Sequence, residues 1–222
     1  MHCLIIGGTS GLGLSLAKKL ADTYDVHITG RTDPGETPLT FHTLDLSNAA
    51  ELLSAIDTLL QELPQIDLLV YAAGFFQDGT VTDLTVEQID TMLSVGLTGA
   101  IYLTRQLLEK QNELGEFIAI TSTSQWTPRL NEPVYTAVKA GLGAYANSLS
   151  LDPRVKKTLV AGPAGMATNF WKGTDEKEHD TSQMLDPDWV ADRILELSSE
   201  NYTYKFARIL RGPARVEVHE SR

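Results

Sequence analysis

An apolar run that stops in glycines sets the strongest limit on the folds open to this chain. Cys3-Leu4-Ile5-Ile6 ends in Gly7-Gly8-Thr9-Ser10-Gly11-Leu12-Gly13, and an amphipathic stretch over Gly11–Thr23 follows at once. A buried strand, a glycine turn and a helix in that order predict the opening of a βαβ unit. The same alternation continues along the chain. Strands are expected at Cys3–Ile6, Val26–Thr29, Thr40–Leu44, Leu68–Tyr71, Phe117–Thr121, Thr158–Ala161 and Phe206–Leu210. Helices are expected at Gly11–Thr23, Ala49–Glu62, Val86–Glu113 with a break near Gly96, Val134–Leu151 and Asp188–Ser199. Strands alternating with helical patterns imply a parallel sheet, and right-handed crossovers place helices on both of its faces. The expected fold class is α/β, a Rossmann-like doubly wound parallel sheet of about seven strands.

The 222 residues are enough for one well-buried core, and neither an internal repeat nor a Pro-, Gly- or Ser-rich linker divides them. A single dinucleotide-binding domain over residues 1–222 is expected. The least regular stretch, Asn169–Asp186, follows the sixth strand and reads as a lid over a substrate. Eighteen basic against 29 acidic residues give a formal charge of −11, which argues against nucleic-acid or anionic-membrane partners. Cys3 has no second cysteine to pair with. The five histidines, His2, His27, His42, His179 and His219, show no metal-ligand spacing, so no metal is expected. The chain opens directly on a strand-like segment, and no apolar run approaches the roughly 20 residues of a spanning helix. A cytoplasmic location is the expectation.

The glycine turn has a chemical reading. Gly7, Gly11 and Gly13 let backbone approach a pyrophosphate, with Thr9, Ser10 and Leu12 between them and a helix N-terminus supplying amides. The end of the second strand selects the cofactor. An acid there holds the ribose hydroxyls of NAD, whereas a cation accepts the 2′-phosphate of NADP. Arg31 stands eighteen residues past Gly13 in His27-Ile28-Thr29-Gly30-Arg31-Thr32, so NADP is favoured over NAD. Ser10 and Thr32 offer hydroxyl contacts, and Asp33 is the residue that opposes this assignment.

The second half supplies a reactive group. Tyr135 and Lys139 lie four apart on an expected helix, so both project from one face. Ser122 closes the fifth strand thirteen residues earlier. A phenol titrates near 10, and a neighbouring ammonium stabilises its anion. Tyr135 so placed can pass a proton to or from a carbonyl oxygen while Ser122 holds that oxygen. Phe75, Phe76, Trp126, Phe170 and Trp171 fall after strands and form a candidate apolar wall, with Gln125 and Asn169 as polar companions. A Ser122 hydrolase is disfavoured, since no G-x-S-x-G elbow surrounds it.

Together these residues resemble the short-chain dehydrogenase/reductase family of the single-domain type, over nearly the whole chain. The resemblance implies Ser122, Tyr135 and Lys139 as the catalytic group, with Lys139 also binding the nicotinamide ribose. It implies adenine contacts from Asp45 and the adjoining Leu46, a cofactor turn at Ala72-Ala73-Gly74, and carboxamide contacts near Pro163 and Thr168. It further implies a homodimer or homotetramer. Three positions depart from the family pattern: Ala72 replaces an asparagine, Ala164 replaces the glycine after Pro163, and Gly96 stands where the family carries a catalytic asparagine. The expected function is NADP(H)-dependent hydride transfer between nicotinamide and a small carbonyl or alcohol substrate. The alternative is a dinucleotide-binding sensor that keeps the fold and turns over poorly. An epimerase or dehydratase acting on a nucleotide sugar fits less well, because only about 50 residues follow Thr168 and a second domain needs more.

Overall fold

The structure, a computed structural model, describes residues 1–171 and 181–222. One eight-stranded sheet organises it, in the order β3-β2-β1-β4-β5-β6-β7-β8. The strands are β1 (His2–Ile6), β2 (Asp25–Gly30), β3 (Thr40–Thr43), β4 (Leu68–Tyr71), β5 (Leu114–Ile120), β6 (Val155–Pro163), β7 (Tyr204–Leu210) and β8 (Arg215–Ser221). The first seven run parallel, and β8 returns antiparallel along β7. The chain order reverses between β1 and β4, which leaves a crevice at their carboxyl ends where ligands of such sheets settle. The expected seven strands are all present. β8 is an addition that the sequence did not announce.

Six α-helices among the described residues cover the sheet: α1 (Gly11–Leu20), α2 (Leu52–Glu62), α3 (Val86–Leu93), α4 (Gly99–Gln111), α5 (Pro133–Leu149) and α6 (Pro187–Ser199). Alternate residues of the central strands are buried on opposite faces, as a doubly covered sheet requires. Leu4, Ile6, Leu69 and Tyr71 enter the core shared with α2 and α4. Ile5, Val70, Ile118 and Leu159 enter the core shared with α1 and α6. α3 starts at a reciprocal cap, in which Thr85 Oγ1 accepts from the Gln88 amide at 3.2 Å and Gln88 Oε1 accepts from the Thr85 amide at 2.9 Å. Asp186 caps α6 through the amides of Asp188 and Trp189.

The break expected near Gly96 is one turn of π-helix, Ser94–Thr98, joining α3 to α4. Such a bulge admits one extra residue and frees a carbonyl from the helical ladder. Here Tyr71 Oη donates to Val95 O at 2.7 Å, and Ser94 Oγ donates to Leu46 O at 2.6 Å. The helix is thereby tied to two strand ends of the crevice.

Candidate active site

One cavity of about 1000 Å³ opens at the carboxyl ends of β1, β2, β4, β5 and β6. Gly7, Thr9, Ser10, Gly11, Leu12 and Gly13 of the glycine turn border it, as do Arg31, Asp45, Leu46, Ala72, Ala73, Gly74, Ser122, Tyr135, Lys139, Pro163 and Thr168. Thr32, Asp33, Gln125 and Trp126 do not. Trp126 instead packs edge-on against Phe206, 5.5 Å between ring centroids, with the Arg208 guanidinium 4.8 Å from its ring. Gln125 turns towards α5, where its amide would meet a side chain at Gly143.

The amino-terminal end of the cavity is built from backbone. Gly7 has φ +80°, and a Cβ there would lie 2.8 Å from the backbone of Ala73. A Cβ on Gly13 would lie 2.1 Å from Gly7 O. Only glycine lets the loop, the helix and the β4 turn meet this closely. Ser10 precedes α1 but makes no side-chain cap, in contrast to Thr85 and Asp186. The first amides of α1 therefore face the cavity with the positive end of the helix, a setting suited to a pyrophosphate. Arg31 borders the far side. Its competitor Asp33 accepts the Gly35 amide at 2.8 Å within its own turn. Asp45 accepts the amide and hydroxyl of Ser47 at 2.8 and 2.7 Å, and these bonds, reinforced by Arg31, hold its carboxyl below the usual range. The donors and the open space fit a dinucleotide.

The reactive end is built from buried side chains. Ser122 follows β5, and Pro133 starts α5 so that Tyr135 and Lys139 occupy its first turns. Tyr135 is 7% exposed and Lys139 3%. Lys139 Nζ donates to Ile120 O at 3.0 Å and lies 5.7 Å from the centre of the Tyr135 ring. Burial lowers the Lys139 ammonium to about 8. The same burial, with Glu132 nearby, pushes the Tyr135 phenol well up, while a hydrogen bond with Ser122 and the Arg129 charge draw it back in part. Desolvation and the Glu132 carboxylate, rather than the expected lowering by Lys139, therefore dominate this phenol, and the influences that lower it come from Ser122 and Arg129. At Gly96, a Cβ would lie 2.3 Å from Val138 Cγ1, so the asparagine of the family pattern has no room.

Phe76 meets Tyr135 edge-on at 5.0 Å and Trp171 at 5.5 Å, and stacks on Phe170 at 6.2 Å. With Phe75 and Asn169 these rings wall the cavity beside the phenol. The expected lid is anchored at both ends: Leu185 N donates to Gly165 O and Ala167 N to Leu185 O, each at 2.9 Å. Its central residues, 172–180, lie outside the described residues. Sequence reasoning missed Ser124, Arg129 and Glu132, which also border the cavity. The signal available was a carboxylate three positions before Tyr135 and a second hydroxyl two positions after Ser122. Among the described residues, no group of three or more His, Cys, Asp or Glu side chains is arranged to hold a metal ion. No helix among them is long and apolar enough to cross a membrane.

Comparison with known proteins gives these features a lineage. Residues 1–179 match the family model described as short chain dehydrogenase. An uncharacterised oxidoreductase of Staphylococcus epidermidis is 28% identical over 207 residues, spanning 86% of this chain and 88% of its own. Carbonyl reductase family member 4 of Xenopus laevis is 27% identical over 234 residues, spanning 97% of this chain and 98% of its own. Among solved structures, the closed form of a serine dehydrogenase complexed with NADP+ superposes with a TM-score of 0.78 at 26% identity, covering 93% of this chain and 94% of the other. A match that runs from the first strand through the glycine turn, Ser122 and Tyr135 and on past Thr168 makes this chain an oxidoreductase of the short-chain dehydrogenase family.

Proposed function

We propose that the protein is an NADP(H)-dependent reductase or alcohol dehydrogenase acting on a small carbonyl/hydroxyl pair. The observation that carries this reading is convergence: the uncapped start of α1 and the Ser122/Tyr135/Lys139 group share one cavity. The nicotinamide, when bound, supplies or accepts the hydride. The chain's own residues do the rest. Tyr135 exchanges the proton at the substrate oxygen, and Ser122 holds that oxygen while charge develops on it. Lys139, held by Ile120 O, contributes a positive charge that favours the phenolate and a donor for ribose hydroxyls. Phe75, Phe76, Phe170 and Trp171 give the substrate an apolar bed, which suits a carbonyl compound with an apolar body.

Arg31 is the proposed reader of the 2′-phosphate. It borders the cavity while the Asp33 carboxylate is engaged by the Gly35 amide, and the serine dehydrogenase relative carries NADP+. The test is oxidation of NADPH and NADH, side by side, with a panel of diketones, quinones and aldehydes. Preference for NADPH is expected, and Arg31→Ala should reduce that preference by about tenfold or more, the worth of a charge-assisted hydrogen bond. A parent enzyme that prefers NADH would overturn the Arg31 assignment and leave the chemistry standing. The sensor reading keeps one observation in its favour, the filled space beside Gly96. Tight cofactor binding with no turnover across the panel would select it.

A further inference from the structure

The polar groups behind Ser122 form a chain whose hydrogen positions are fixed by chemistry. Ser122 Oγ stands 3.2 Å from Ser124 Oγ, which stands 2.6 Å from Glu132 Oε2. Arg129 Nη1 reaches Ser124 Oγ at 2.7 Å and Glu132 Oε2 at 2.9 Å. An ionised carboxylate only accepts and a guanidinium only donates. The Ser124 proton therefore points to Glu132, and Arg129 occupies one Ser124 lone pair. The other lone pair takes the Ser122 proton. The Ser124 amide donates to Ser122 Oγ at 3.1 Å, and Ser122 is also hydrogen-bonded to Tyr135, a contact that favours the phenolate. An unbroken hydrogen-bonded line thus runs from Tyr135 through Ser122 and Ser124 to Glu132. Ser124 is buried at 2% exposure, whereas the Glu132 side chain keeps 11% and so has access to water.

We propose that Ser122, Ser124 and Glu132 form the proton path between Tyr135 and solvent, with Glu132 as its outer end. The inference rests on the reading of Tyr135 as the acid–base group. It also accounts for Gly96: Val138 fills the space of the family's relay asparagine, so a proton needs another route. In alcohol oxidation the substrate hydroxyl proton passes to the Tyr135 phenolate as hydride leaves carbon for nicotinamide. The next step regenerates the phenolate. The Tyr135 proton moves to Ser122, the Ser122 proton to Ser124, and the Ser124 proton to the Glu132 carboxylate, which releases it to water. Three O–H bonds break and three form, and one negative charge moves from Glu132 to Tyr135. Carbonyl reduction runs the same transfers in reverse. The Ser122 proton is claimed by Ser124 in this structure and by the substrate oxygen during reaction, and that exchange links the substrate to the path. Glu132 is a positioning and relay residue that acts on Tyr135 through Ser124 and Ser122, and Arg129 is the cation that keeps its carboxylate in place.

Glu132→Gln retains an acceptor for Ser124 but carries no proton load, and Ser124→Ala cuts the path while leaving the Arg129–Glu132 pair intact. In a dilute, bulky buffer both variants should turn over about tenfold more slowly than the parent with unchanged KM for the cofactor, the lower range of acid–base effects. Imidazole at rising concentration should restore Glu132→Gln, because a small base replaces the missing terminus. A second readout needs no turnover. On alkaline titration followed by tyrosinate absorbance, Glu132→Gln should let one of the seven tyrosines ionise earlier, and this change should vanish in the Tyr135→Phe background. Unchanged turnover in both variants, or a loss that imidazole leaves untouched together with an unshifted titration, would overturn the relay. If the parent itself shows no turnover, the functional reading falls, and the titration alone decides whether Glu132 is coupled to Tyr135.

Discussion

The two ends of the cavity are made from different materials. At the glycine turn, space is the working element: Gly7 and Gly13 are defined by what they lack, and the first amides of α1 stay open because Ser10 does not cap them. At the Tyr135 end, an ammonium, a phenol, two hydroxyls and a carboxylate are packed together; burial lowers the ammonium, and burial with the carboxylate raises the phenol. The first end is specified by backbone sterics and tolerates no added atom. The second is specified by a hydrogen-bonded network, and there the family pattern has been altered at Gly96 without loss of the surrounding group. A site made of voids is fixed by a few positions, whereas one made of partners can be rewired.

The largest expected effect lies at the partner-built end. Tyr135→Phe should lower turnover by roughly 10² to 10⁴-fold, the range for a general acid–base group, with cofactor affinity measured by fluorescence unchanged. Undiminished chemical rates in this variant would remove Tyr135 from the mechanism. The matching change at the other end is Gly13→Ala. Its Cβ meets Gly7 O at 2.1 Å, so the turn must shift, with about 3 kcal/mol of lost stability at the upper range for overpacking. Cofactor affinity should fall with it, while Tyr135→Phe leaves affinity alone. That opposition is the sharpest test of the contrast.

Lys139 gives a comparable effect through pH. Its ammonium is lowered to about 8 in the folded chain against 10.5 for the ordinary group. Between these values the unfolded chain binds more protons, so stability rises with pH across this window, by on the order of 3 kcal/mol in full. The buried Cys3 thiol is shifted upward and acts oppositely above about 9, where the unfolded thiol ionises, as does the Tyr135 phenol above about 10, so the rise should show from about pH 8 to 9. Urea unfolding across that range should show the rise in the parent and lose it in Lys139→Met. A flat parent profile would mean that burial does not burden this lysine.

The smallest effect probes the rewired position. Gly96→Asn should destabilise by about 1–3 kcal/mol, because Val138 occupies the space, and Val138→Ala should recover part of that loss. Thermal unfolding of the two variants and their combination decides it. Additive losses would show that Val138 is not the obstacle.

The same distinction explains what the sequence disclosed. The strand, glycine turn and helix at the start are local signals, and the central parallel strands β1, β4, β5 and β6 are marked by runs of apolar residues buried on both faces. The break near Gly96 was legible because glycine interrupts a long helical pattern, and it appears as a π turn. β8 was missed because Arg215, Glu217 and Glu220 are exposed and only Val216 and Val218 are apolar, leaving no buried face to produce a period. The Ser124–Arg129–Glu132 network was missed for another reason: three polar side chains in a loop carry no periodicity, and only the folded loop brings them together. Trp126 shows the reverse error, a loop aromatic whose partners turn out to be Phe206 and Arg208. The Ser122, Tyr135 and Lys139 spacing was readable because a strand end and one face of a helix fix their separation.

The central claim is hydride transfer at a carbonyl carbon with Tyr135 supplying the proton. NADPH deuterated at the transferring position of the nicotinamide, incubated with the enzyme and a carbonyl substrate that it turns over, tests this directly. The account predicts deuterium on the carbinol carbon of the product and no labelled product from Tyr135→Phe on the same timescale. Product formed without the label, or label appearing equally fast in the variant, would contradict it.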